Sequence, residues 1–143
     1  MTSDDEELRV GVDVVSVSAV EHSIARFGER YLQHVFSEAE QHDCVGSARH
    51  QAEGLAARFA AKEAAIKVLR PEGIAGLWTS IEVSRLPSGA TSLKLSGVAS
   101  ELADDAGIST FAVSLAHEGD VAVAVVLATC HSVPDLDRSL QAD

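Results

Sequence analysis

Aromatic residues make up only 4% of the 143-residue chain, with one Trp, one Tyr and four Phe. A platform for stacking nucleic-acid bases therefore has little to be built from, and any core must be packed from Val, Leu, Ala and Ile. Basic residues are equally short, 11 against 22 acidic ones, for a formal charge of −11. A surface that grips a phosphate backbone carries the opposite sign. Cysteines number two, Cys44 and Cys130, far apart and in no CxxC spacing, so neither a zinc site nor a disulfide framework is indicated. No apolar run approaches the ~18 residues of a membrane span, and the first residues are acidic where a secretory signal is basic. The expected compartment is the cytoplasm.

What is present is a chain that is 46% hydrophobic, enough for one core and one domain. The acidic excess gathers at the ends, which predicts an acidic tail over 1–8, a folded body over 9–130 and a second tail over 131–143. Along the body, the valine-rich 9–17 reads as a buried strand interrupted by Gly11 and Asp13. A helical pattern runs from Ala19 to about Tyr31, and Ser37 with Glu40 three residues later has the form of a capped helix start. Residues 51–69 are the best helix candidate, with Leu55, Phe59, Ile66 and Leu69 spaced to share one buried stripe, ended by Pro71, Gly73 and Gly76. Segments 80–86 and 92–95 flank the turn Pro87-Ser88-Gly89 as a hairpin, and 98–105 suits a helix closed by Gly107. Segments 110–116 and 120–128 close the fold as two strands around His117-Glu118-Gly119. The order predicts an α+β domain with an antiparallel sheet packed on a long central helix.

Three features carry chemistry. An ionised carboxylate among valines is unfavourable by several kcal/mol unless a cation compensates it, so Asp13 is either partnered or exposed where the strand bends at Gly11. On the 51–69 helix, Arg58 and Lys62 are four apart and share a face, a concentration of cations in an acidic body. Glu63 and Lys67 are also four apart, and as an ordinary surface pair they would be worth only ~0.3 kcal/mol. Finally, Ser114 and His117 close a strand, without the orienting acid or sharp turn that a nucleophilic serine needs.

Together these segments resemble the short acyl-carrier-protein synthase type of 4'-phosphopantetheinyl transferase. VGVDVV resembles its opening G-x-D strand and RFGERYLQHVFSEAE its F-x-x-R-x-L segment. LAARFAAKEAAIKVL resembles its central K-E-A helix and VSLAHE its closing S-x-S-H strand, in the same order over roughly 9–128. Three positions depart: Ala19 where a basic residue is usual, Ala116 in place of Ser, and Gly89-Ala90-Thr91 in place of Gly-Lys/Arg-Pro.

The resemblance implies transfer of the 4'-phosphopantetheine arm of coenzyme A to a serine hydroxyl of an apo acyl carrier protein, from fatty-acid, polyketide or peptide synthesis, releasing adenosine 3',5'-bisphosphate. It implies Mg²⁺ held by Asp13 and Glu63, with Glu63 or a water it orients accepting the serine proton and Lys67 neutralising charge at the phosphate. Arg58, Lys62, Gly73, Ser114 and His117 are implied as coenzyme contacts. The resemblance further implies a homotrimer with sites between neighbouring subunits. Docking of an acidic carrier on an acidic protein needs a local cationic patch, for which Arg26, Arg30 and Arg49 are the candidates and Arg26 and Arg30 are favoured. The alternative expectation is a trimeric scaffold that binds coenzyme or carrier without transfer, with Ala19 and Ala116 as its support.

Overall fold

The computed structural model describes residues 6–131. Strand β1 (Glu6–Ser16) takes residues 6–8 of the expected tail into the sheet and runs unbroken, so it does not bend at Gly11. The glycine has another cause. Here the central helix comes so close that a Cβ at position 11 would lie 2.1 Å from the carbonyl oxygen of Ala64.

Helix α1 (Val17–Phe27) is capped by Ser16 and stops at Gly28, whose φ of +56° breaks the expected 19–31 helix in two. Helix α2 (Glu29–Val35) follows, so Arg26 and Arg30 lie on different helices. Helix α3 (Glu38–Asp43) begins with the expected capping box of Ser37 and Glu40.

The central helix α4 (Ala48–Leu69) starts three residues earlier than the pattern suggested, capped by Ser47. It is not a one-stripe helix: Leu55 and Leu69 are buried, Phe59 and Ile66 only half so, and alanines 56, 57, 60, 61, 64 and 65 are buried around it. Small side chains let the sheet approach from one side and the remaining elements from the others. The short α5 (Leu77–Ser80) leads into the hairpin of β2 (Ile81–Arg85) and β3 (Thr91–Leu95), closed by Gly89 at φ +89°. Helix α6 (Gly97–Asp105) precedes β4 (Ile108–Glu118) and β5 (Val121–His131), which are longer than expected; His117 lies within β4, not in a loop.

The strands form two antiparallel sheets, β1-β5-β4 and the separate pair β2-β3. One face of the larger sheet meets α4. The other carries Leu8, Val10, Val12, Val14, Val121, Val125 and Leu127, each between 40% and 67% exposed.

The turn between β4 and β5 is locked to the rest by Asp120. Its carboxylate accepts from the Ser16 hydroxyl at 3.0 Å, the Ser18 amide at 2.9 Å and Arg49 at 3.1 Å, and these bonds draw its pKa from 3.8 to about 2. The Ser18 hydroxyl adds a further bond and is the largest cause of that shift.

Candidate active site

The residues expected to act together fall on two sides of α4. Positions 58 and 63 are five apart, which at 3.6 residues per turn separates them by about 140° around the axis. Glu63 and Lys67, four apart, share a flank.

On that flank, Lys67 Nζ donates to Asp13 Oδ1 at 3.1 Å and to the Val12 carbonyl at 2.8 Å. Asp13 is thus partnered, with its side chain 21% exposed against 54% for Lys67. The surface pair between Glu63 and Lys67 is not formed; Glu63 Oε1 accepts instead from the indole nitrogen of Trp78 at 2.8 Å. Among the described residues, Asp13 Oδ2 and Glu63 Oε2 make no hydrogen bond, so each carboxylate keeps an oxygen for a ligand. Among the same residues, no group of three or more His, Cys, Asp or Glu could hold a metal alone. Two carboxylates suit a hard divalent cation that fills its shell with substrate phosphates and water.

Lys62 shares the Arg58 side of the helix by spacing but is closed over by the protein, and is a correction to the sequence reading. Its side chain is 0% exposed and its ammonium donates to Glu40 Oε1 at 2.7 Å, Trp78 O at 2.7 Å and Ile81 O at 2.6 Å. Three donors meet three acceptors, so nothing is left to bind a coenzyme phosphate. Burial pushes its pKa below the ordinary lysine range while Glu40 opposes the shift. Glu40 also accepts from the amides of Ser37 and Val83, both at 2.8 Å, joining α3, α4 and β2.

On the opposite flank a cavity of about 550 Å³ opens between α4, the β2-β3 turn and the end of β4. Arg58 and His117 both line it, as expected of coenzyme contacts, together with Arg85, Pro87, Glu53 and Ala116. Arg58 is 6% exposed on its side chain, with one bond to the Gly54 carbonyl at 3.3 Å and a carboxylate of Asp43 at 3.8 Å. Among the described residues its Nε makes no hydrogen bond, so the guanidinium keeps donor capacity beside the cavity. Arg85 was not singled out in the sequence; its place beside a hairpin turn carries no local signal of which cavity the turn closes.

Gly73 lies in the exposed loop between α4 and α5, outside that cavity. Core-facing Val113 and Leu115 flank Ser114, so it lies on the open face of the sheet in one row with Val125 and Val12. Arg26 and Arg30 are exposed, Arg26 over the Phe27 ring at 5.3 Å. Arg49, 41% exposed on its side chain, pairs with Glu21, Glu53 and Asp120.

Residues 9–126 match the family model described as the 4'-phosphopantetheinyl transferase superfamily. A holo-[acyl-carrier-protein] synthase of Chloroflexus aurantiacus is 42% identical over 131 residues, covering 82% of this chain and 95% of that protein. Among solved structures, the coenzyme A complex of the Chronobacterium ammoniagenes enzyme is 31% identical with a TM-score of 0.76, over 89% of this chain and 99% of the other. The Helicobacter pylori holo-[acyl-carrier-protein] synthase in complex with coenzyme A is 29% identical with a TM-score of 0.72, over 84% and 99%. The carboxylates of Asp13 on β1 and Glu63 on α4 thus sit in a fold shared with coenzyme-bound synthases, and the chain belongs to the 4'-phosphopantetheinyl transferase superfamily.

Proposed function

We propose that the protein transfers the 4'-phosphopantetheine arm of coenzyme A to a serine of an apo acyl carrier protein, leaving adenosine 3',5'-bisphosphate. The observation that carries this reading is the flank of α4 where Asp13 meets Lys67 and Glu63 stands one turn away. Asp13 and Glu63 would hold Mg²⁺, which supplies Lewis-acid polarisation of the diphosphate and offsets its charge.

The remaining work falls to the chain itself. The serine oxygen forms a bond to phosphorus as the bond to the leaving phosphate oxygen breaks, and the serine proton passes to Glu63 or to a water it orients. Lys67, half exposed, sits beside Asp13 where negative charge gathers on the leaving group. On the other flank, Arg58, Arg85 and His117 take the outlying phosphate of the coenzyme.

These two half-sites lie on opposite flanks of one helix. A coenzyme that needs both is served by pairing the carboxylate flank of one copy with the cavity of the next, which supports the homotrimer. The apolar sheet face of Val10, Val12, Val14 and Val125 supplies a surface for such copies to bury. Arg26 and Arg30 supply the cationic patch for an acidic carrier, and their charge reversal should raise the KM for carrier. No helix among the described residues is long and apolar enough to cross a membrane, and the site of action is proposed to be the cytoplasm, where coenzyme and carrier occur together.

The test is to incubate the protein with coenzyme A, Mg²⁺ and apo carrier and weigh the carrier by intact mass spectrometry. A phosphopantetheine increment that disappears in Asp13→Ala and Glu63→Ala supports transfer. Bound coenzyme with no increment on fatty-acid, polyketide or peptide carriers would replace it with the scaffold reading.

A further inference from the structure

Trp78 is the one tryptophan of the sequence, and its indole nitrogen is spent on a carboxylate of the reaction flank, Glu63 Oε1 at 2.8 Å. A partly buried indole needs some acceptor, but three further contacts make this donor rigid. The ring meets His34 edge-on at 5.5 Å and Phe59 at 6.2 Å, and the backbone carbonyl of Trp78 accepts from Lys62 at 2.7 Å. Lys62 is itself fixed by the buried Glu40. A chain of contacts therefore runs from the core pair through α5 to one oxygen of a glutamate that has three side-chain torsions to restrain.

We propose that Trp78 is a positioning residue for Glu63, its indole N–H pinning Oε1 and leaving Oε2 as the oxygen free to ligate the divalent cation. The proposal rests on the transferase reading of this flank. A hydrogen bond to a metal-binding carboxylate restricts its orientation, and loss of such a partner weakens metal affinity on the order of tenfold or more.

Trp78→Phe removes the donor and keeps a ring against Phe59 and His34. Titration calorimetry of Mg²⁺ into the full chain saturated with coenzyme A is expected to show an affinity lowered on the order of tenfold. The melting temperature should change little, and kcat should recover towards wild type as Mg²⁺ is raised, a rescue that a general loosening of the fold would not give. A second readout needs no variant: in wild-type protein already saturated with coenzyme A, addition of Mg²⁺ should change the Trp78 emission. If wild type transfers the arm while Trp78→Phe binds Mg²⁺ and turns over equally well, or if the wild-type emission ignores Mg²⁺, the positioning role is overturned and the transferase reading stands. If coenzyme-saturated wild type takes up no Mg²⁺ and modifies no carrier, both fall.

Discussion

Lys62 and Lys67 stand five residues apart on the same helix, each in contact with one carboxylate, and they do opposite things. Lys62 is sealed at 0% exposure with every donor used, holding α5 and β2 to the helix. Lys67 lies in the open at 54% exposure against Asp13, with its charge available to a ligand. The difference is direction. About 140° of helix rotation turns one cation to the core and the other to the sheet edge, and burial turns the first ion pair into architecture.

The sharpest way to break that contrast begins at the carboxylates. Asp13→Ala should reduce phosphopantetheine transfer by on the order of 10³-fold, measured as initial rate, while coenzyme binding in the Arg58 cavity is largely kept. Lys62→Met should act on stability instead. Leaving Glu40 charged and unpaired in the core costs about 3–5 kcal/mol, measured by urea unfolding, and an Asp13-like loss of turnover with unchanged stability would reverse the assignment of the two lysines.

Lys67→Met is the complement. Its exposed pair is worth about 0–1 kcal/mol to stability, so the unfolding midpoint should barely move, whereas kcat should fall on the order of 10²-fold with little change in the KM for coenzyme. A smaller effect belongs to the Asp120 knot. Its carboxylate is easier to ionise in the folded chain, so the stability it contributes is complete above about pH 4 and is lost as pH falls through about 2. Asp120→Asn should melt earlier than wild type at pH 6, with the gap closing on acidification to pH 2.

Much of this framework is readable in the residues. Ser37 and Glu40 announce a capping box, Pro87-Ser88-Gly89 a hairpin turn, and the alanine-rich 51–69 the central helix, because each signal is local. Gly28 falls inside the expected 19–31 helix, and only its positive-φ backbone reveals the break between α1 and α2. Lys62 and Arg58 share a face by spacing, but β2, α3 and α5 close over one and the hairpin turn leaves a cavity beside the other. Partners that are distant in sequence decide that outcome. The same limit hid Arg85 from the site and the Trp78 bond from Glu63, which spans fifteen residues and a loop.

The contact between Gly11 and the Ala64 carbonyl sets the clearance at which Asp13, two residues further along β1, hangs over the helix. A methyl group there would act as a shim, lifting the strand and moving Asp13 away from the helix that carries Glu63 and Lys67. Gly11→Ala should therefore impair catalysis out of proportion to the lost packing, making the bare backbone at this crossing a gauge for the chemistry beside it.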